Sequence, residues 1–319
     1  MAKYKMILDL DTGIDDALAL AYALADQDCD LIGIIGSYGN VLVKQGTQNS
    51  LDLLSLLGAG SIPVYEGLSH SSTTSSFAVQ PVSARIHGVN GVANLEITHT
   101  STKVASQSGI DFLIDAIHKY KKDLLLVPTG PLTNLAAAIK QDPAITKLIG
   151  HVTLMGGALT VPGNVSPVSE ANIHQDPEAA NEVFQSDIPL TMVGLDVTTR
   201  TLLTQHETTI WRNLKTKSGD IYADLVDYYI AAYKETNPHL HGCALHDPLA
   251  VAAALEPKLL ETVYLNMKVD TQEPYEGRTI GDETRLNLPA TTTQVAVNVD
   301  VERFVAKFME RLTSLFEKH

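Results

Sequence analysis

The strongest constraint on the fold is a repeated change of period along the chain. Residues 5–10, 31–36, 62–65, 124–127, 151–155 and 190–195 are short apolar runs. Between them, residues 16–24, 45–57, 109–119, 132–139 and 177–184 carry apolar side chains at helical spacing. Continuous apolar runs of roughly four to eight residues suit strands buried on both faces. Their alternation with helices points to βαβ units and parallel pairing. The expected class is α/β: a single domain, residues 1–319, with a mostly parallel central sheet flanked by helices. The second half is more helical, with helices expected over 205–215, 220–234 and 248–255. Late strands are expected at 263–269, 278–281 and 294–299, and a closing helix at 301–317. Residues 67–91 and 160–175 are punctuated by Ser, Thr, Gly and Pro and read as loops. Loops that long inside a compact fold are usually functional. No internal repeat or low-complexity linker divides the chain.

The 319 residues are 45% apolar, ample for a large core, and the formal net charge is −14. An acidic surface repels phosphate backbones, which argues against a nucleic-acid partner and leaves a small neutral ligand compatible. Cys29 and Cys243 are too few for a disulfide framework and fit a reducing compartment. The N-terminal apolar run ends at Asp9, too short for a signal peptide, and no run has the length of a transmembrane helix. The expectation is a cytoplasmic enzyme with no membrane partner.

The most informative stretch is Asp9-Leu10-Asp11-Thr12-Gly13-Ile14-Asp15-Asp16, four carboxylates within eight residues at a strand-to-helix turn. Gly13 permits a tight turn, and Asp15 or Asp16 can cap the following helix. One or two aspartates would fit a capped helix with solvated acids. Four repel one another unless a positive charge sits among them, and a hard cation held by oxygens is the natural solution. Polar residues recur after the other strands: Asn40, then Thr129, then Asn164, Glu170 and Asn172, then Asp196. Open parallel sheets bind ligands at the carboxyl ends of their strands. Such a rim suits a cation together with a polyhydroxylated ligand such as a sugar.

These residues resemble the inosine–uridine-preferring nucleoside hydrolases. The resemblance runs through residues 9–17, Gly39-Asn40, PTGPLTN at 128–134, Met155-Gly156-Gly157, GNVSPVSEAN at 163–172, DPEAA at 176–180 and His246-Asp247-Pro248. It covers about residues 5–255, with Thr12 where the family usually has proline. It implies a Rossmann-like nucleoside hydrolase fold, a Ca2+ cofactor, a ribonucleoside substrate and a homodimer or homotetramer. It also implies metal ligation by Asp11, Asp16, the carbonyl of Thr129 and Asp247. Asp11 would double as general base toward the attacking water. Asp15, Asn40, Asn164, Glu170 and Asn172 would grip the ribose.

Glycosidic cleavage builds positive charge on the sugar, which carboxylates stabilise, while the departing base needs a proton. His246 is the candidate acid, as an imidazole can supply a proton near neutral pH. His87 lies in the loop at 67–91 and is expected to close over the site. Tyr229 and Tyr233, four residues apart on one helix, could stack on the base or donate to it, or simply pack as aromatics. Asp9, Asp196 and Asn49 are expected to support these groups from behind. Ala171 stands where the family often has an aromatic residue, which alters the pocket near the 5′ end of the sugar.

Two other readings compete. A haloacid-dehalogenase-type phosphatase also opens with a strand and a DxD pair, which Asp9-Leu10-Asp11 mimics. It needs Thr or Val where this chain has Gly13, and its acid pair lies far downstream, whereas Asp15-Asp16 follow at once. A calcium-dependent nucleoside- or sugar-binding protein on the same scaffold would lack catalysis.

Overall fold

The computed structural model describes residues 3–288 and 293–319. Met1 and Ala2, the start of the N-terminal run, lie outside the described residues. The chain opens with β1 (Tyr4–Leu10), α1 (Ile14–Ala25), β2 (Cys29–Gly36), α2 (Val43–Leu56) and β3 (Val64–Glu66). It continues through α3 (Pro81–His87), α4 (Gly109–Tyr120), β4 (Leu124–Pro128), α5 (Thr133–Gln141), α6 (Ile145–Leu148) and β5 (His151–Met155). Next come α7 (Ala171–Gln175), α8 (Pro177–Gln185), β6 (Leu190–Val193), α9 (Leu195–Thr198), β7 (Leu202–Leu203), α10 (Gln205–Asn213) and α11 (Lys217–Thr236). The last elements are β8 (Cys243–Ala244), α12 (His246–Leu255), β9 (Leu260–Tyr264), β10 (Met267–Val269), β11 (Thr279–Gly281), β12 (Thr293–Val299) and α13 (Val301–Phe316).

Eight strands form one sheet in the order β3-β2-β1-β4-β5-β6-β12-β9. All neighbours are parallel except the β12–β9 pair at one edge. Parallel strands need covered faces, and side-chain alternation supplies them. On β1, Met6, Leu8 and Leu10 enter one apolar cluster with α1, α11, α12 and α13, while Ile7 enters the other with α4, α5 and α8. The mostly parallel α/β domain expected from the sequence is therefore the fold.

Four expectations are corrected. The loop at 67–91 contains α3, and the loop at 160–175 ends in α7. The run at 263–269 is two strands, because β9 pairs with β12 while β10 pairs antiparallel with β11. The expected strand at 190–195 stops at Val193, since Leu195 already opens α9. The shortest strands, β7 and β8, pair antiparallel just before α12.

The chain leaves the sheet centre in opposite directions, from β1 toward β2 and from β4 toward β5. That places a topological switch point between β1 and β4, where a crevice opens at the strands' carboxyl ends. The turn after β1 and the turn after β4 form its two lips.

Candidate active site

Two helix N-termini meet at this crevice. Asp15 and Asp16 occupy the first turn of α1, and His246 and Asp247 the first turn of α12. The two helices pack against each other, and both bury small residues in the same apolar cluster, Ala17 and Ala21 among them on α1 and Ala250 and Ala253 on α12. Acids at helix N-termini are favoured by the backbone dipole and by free N–H groups. Asp16 uses one such group, accepting from Gly13 N at 2.8 Å. Carboxylate oxygens of Asp15, Asp16 and Asp247 all lie within 4.8 Å of one another.

Asp11 sits beside Asp16 and is held from the other side. The Asn40 backbone N–H donates to its Oδ2 at 2.7 Å, and Asn40 Nδ2 donates to its Oδ1 at 3.1 Å and to Asp16 Oδ2 at 3.3 Å. This close approach demands Gly39: a Cβ there would lie 1.9 Å from Asp11 Oδ2, and its φ of +155° disfavours a side chain. Thr129 Oγ1 donates to Asp16 Oδ1 at 2.7 Å. Its carbonyl accepts from Asn172 Nδ2 at 2.8 Å, which leaves a lone pair for another partner.

The electrostatics are lopsided. Burial, and then mutual repulsion, lifts the carboxyls of Asp11 and Asp247 well above the usual range. Burial lifts Asp15 to about 6, and burial together with the Asp15 charge lifts Asp16 to about 6. Asp15 Oδ1 is buried without a hydrogen-bond partner among the described residues. A buried orphan oxygen within a cluster of acids is the signature of a site that a cation completes. The donors are all oxygens, so the residues fit a hard ion such as calcium.

Aromatic and imidazole groups form the opposite wall. Tyr229 Oη donates to Asp15 Oδ2 at 3.3 Å, Tyr233 Oη lies 2.6 Å from His246 Nε2, and Thr198 Oγ1 lies 2.7 Å from His246 Nδ1. His87 ends α3 and stands with its ring 5.5 Å from that of Tyr229. Its Nδ1 accepts from Ile14 N at 3.1 Å, so its 3.7 Å approach to Asp15 Oδ1 is not an ion pair. Burial pushes both His87 and His246 down to about 4, which leaves both rings neutral near pH 7.

The remaining residues singled out from the sequence reach the rim in different ways. Glu170 caps α7, and its carboxylate accepts from the N–H groups of Gly157, Asn172 and Ile173. Asn172 spends its amide hydrogens on the carbonyls of Thr129 and Met155, leaving Oδ1 for a hydroxyl donor. Asn164 is exposed and accepts from Ala171 N at 2.9 Å. Asp196 accepts from Leu159 N and Thr160 N, which braces the turn after β5. Asn49 donates to the carbonyls of Thr12 and Asn90 and so ties the acidic turn to the segment after His87. Asp9 accepts from Asn134 Nδ2 beneath the site.

Sequence reasoning missed Thr198, Asn134 and Asp176. Asp176 accepts from Ser72 and Thr133 and so anchors the segment before α3. Two cavities, of about 410 and 520 Å3, open elsewhere on the surface and include none of the clustered carboxylates in their linings.

The geometry thus sets a buried, cation-ready acid cluster opposite a wall of neutral hydrogen-bonding side chains. The model of the inosine-uridine preferring nucleoside hydrolases matches residues 6–306, and the chain belongs to that family. A "probable uridine nucleosidase 2" of Arabidopsis thaliana is 34% identical over 315 residues, 97% of each chain. The "pyrimidine-specific ribonucleoside hydrolase RihA" of Citrobacter koseri is 32% identical, over 96% of this chain and 97% of the relative. Among solved structures, the "purine-preferring ribonucleoside hydrolase" of Gardnerella vaginalis superposes with a TM-score of 0.98 at 56% identity, covering 99% of this chain and 100% of that one. The chain is accordingly an N-glycosyl hydrolase of ribonucleosides. The phosphatase reading falls with this result.

Proposed function

We propose that the chain cleaves ribonucleosides to ribose and free base in a calcium-dependent reaction, with purine nucleosides as preferred substrates. The observation that carries the metal requirement is the buried trio Asp15, Asp16 and Asp247 with its unpartnered Asp15 oxygen. Asp16 and Asp247 would hold the ion, with Asp11 and the Thr129 carbonyl beside them. When bound, calcium would polarise the attacking water and the ribose hydroxyls as a Lewis acid. The purine preference rests on the 56% identity to the Gardnerella enzyme, against 32–34% to the uridine and pyrimidine relatives.

The chain's own groups divide the remaining work. Asp11, oriented by both Asn40 donors, takes the proton of the attacking water as general base. Asp15, Asn40 and Asn172 Oδ1 meet the ribose hydroxyls, with Glu170 and Asn164 fixing the turn beside them. Attack comes opposite the base, and the carboxylates stabilise the oxocarbenium-like charge. On the other wall His246 is a neutral imidazole, so it serves the leaving base through Tyr233 rather than as an imidazolium. Tyr229 and His87 complete that wall. A reducing cytoplasm, consistent with two unpaired cysteines, and a homodimer or homotetramer belong to the same reading.

The test is ribose release from inosine, adenosine, guanosine, uridine and cytidine, each run beside an EDTA-treated sample and an Asp11→Ala variant. Sugar from the purine nucleosides that disappears in both controls is expected. Tight nucleoside binding with no sugar released from any substrate would leave the non-catalytic binding protein as the better account.

A further inference from the structure

We infer that Thr198 fixes the resting tautomer of His246, and with it the direction of a hydrogen-bond chain running Thr198–His246–Tyr233. The inference rests on the proposed function only for its catalytic consequence. The chain itself is geometric. Thr198 Oγ1 to His246 Nδ1 is 2.7 Å, His246 Nε2 to Tyr233 Oη is 2.6 Å, and Tyr229 Oη to Asp15 Oδ2 is 3.3 Å. Beyond the imidazole, the ring of Tyr233 meets that of Tyr229 edge-to-face at 4.9 Å.

The Thr198 end of this chain, far from the acids, is chemically one-way. Thr198 is fully buried, and the imidazole is the one hydrogen-bond partner of its hydroxyl among the described residues. Were His246 protonated at Nδ1, Thr198 Oγ1 would accept and its own hydrogen would be stranded in a dry interior. Only one arrangement leaves the Thr198 hydrogen paired. Thr198 donates to Nδ1 and Nε2–H donates to Tyr233, which leaves the Tyr233 hydrogen free of the ring; Tyr229 separately donates to Asp15.

That direction matters for the leaving base. A phenol backed by an imidazole N–H is a stronger donor than one that must itself donate to the ring. As negative charge grows on the base, a tyrosine O–H turned toward it is supported from behind without a formal charge. Thr198 touches neither sugar nor base in this scheme and is a positioning residue. Its place follows from the fold: α9 leaves the end of β6, and Asp196, two residues earlier, is locked to the Leu159–Thr160 backbone.

The experiment is ring-nitrogen NMR on the full-length protein labelled with 15N-histidine. The His246 signals are assigned by their loss in His246→Gln. A protonated Nε2 and a bare, hydrogen-bonded Nδ1 are expected; a protonated Nδ1 would overturn the inference. Kinetics then separate positioning from mere packing. Thr198→Val is expected to lower kcat on nucleosides about tenfold with little change in KM, the scale of one buried hydrogen bond. The drop should be much smaller on p-nitrophenyl riboside, whose leaving group needs little stabilisation. Thr198→Ser should restore the wild-type rate. Equal losses on both substrates, or none on either, would refute the role. If the valine variant fails to fold, the wild-type tautomer still decides. If the wild type cleaves neither substrate, the functional proposal fails while the tautomer remains measurable.

Discussion

Asp16 lies in the crevice with its carboxyl raised from 3.8 to about 6, by burial first and by the Asp15 charge second. A carboxyl that is harder to ionise in the folded state costs stability wherever it is ionised. The displacement corresponds to about 3 kcal/mol at neutral pH. Asp16→Asn removes that cost and keeps the local hydrogen bonds. The amide oxygen can accept from Gly13 N and Asn40 Nδ2, while the Thr129 hydroxyl turns to accept from the new amide. In EDTA at neutral pH the variant should therefore be more stable than wild type by about 2–3 kcal/mol. For a chain of this length that raises Tm by about 3–4 °C.

The sign with pH is fixed by the raised value. The penalty is absent below the unfolded pKa near 4 and complete above about 6. The variant's advantage should thus shrink as pH falls from 7 to 4. Calcium should reverse the ranking. Binding at a hundredfold excess over Kd adds about 2.7 kcal/mol to the wild type, and the variant has lost a ligand. Differential scanning calorimetry at two pH values, with EDTA and with calcium, reads all of this. An asparagine variant less stable than wild type in EDTA at neutral pH would refute the electrostatic reasoning. An undiminished calcium response would remove Asp16 from the ion's ligands.

Other outcomes follow from the same coordinates. Gly39→Ala would drive a methyl into the Asp11 carboxylate and should cut kcat about 10²-fold while leaving the far-UV circular dichroism unchanged. Retained activity would mean that Asp11 need not be held where Asn40 holds it. Away from the site, burial disfavours ionised Asp282, but hydrogen bonds from Thr284, Arg285 and Gln185 outweigh it and hold the carboxyl below its usual range. A depressed value means stability present above about pH 4 and lost on further acidification. Asp282→Asn should lower Tm at pH 7, with a deficit that narrows below pH 4; a pH-independent deficit would contradict the assignment. Phe308 lies between Tyr22 and Trp211, so Phe308→Ala should cost about 3–5 kcal/mol, as read by urea unfolding. A loss under 1 kcal/mol would show that α13 is not part of the cooperative core.

How much of this was legible in the sequence depends on whether the signal is local. The strand at 151–155 and the start of α8 at Pro177 stand where the apolar runs and the turn residues put them. The acid cluster was legible because strand, turn and helix start share one stretch of chain. The helix α3 escaped because it is seven residues long and buries only His87, too little for a periodic pattern. The break between β9 and β10 escaped because apolar side chains continue while the chain changes partner strand. Thr198 and Asn134 escaped for a different reason. Each acts through a partner far away in sequence, 48 residues for Thr198 and 125 for Asn134. Reading the polar residues after β6 two positions past Asp196 would have reached Thr198.

The two walls of the crevice carry opposite electrical characters, and that contrast argues for a reaction that separates charge. On the α1 side, burial raises every carboxyl, and the dipoles of two helix N-termini offset only part of the repulsion. On the α11 side, the same burial keeps His87 and His246 uncharged and raises the Tyr229 and Tyr233 phenols, so that wall offers hydrogen-bond donors and no fixed charge. An N-glycosidic bond breaking between them leaves a cationic sugar and an electron-rich base. In the proposed reaction the negative wall would stabilise the first, and the neutral donors the second, without also drawing it toward the acids. A site built only to bind a neutral nucleoside would have no use for that asymmetry, since equal contacts to both halves would bind it as well.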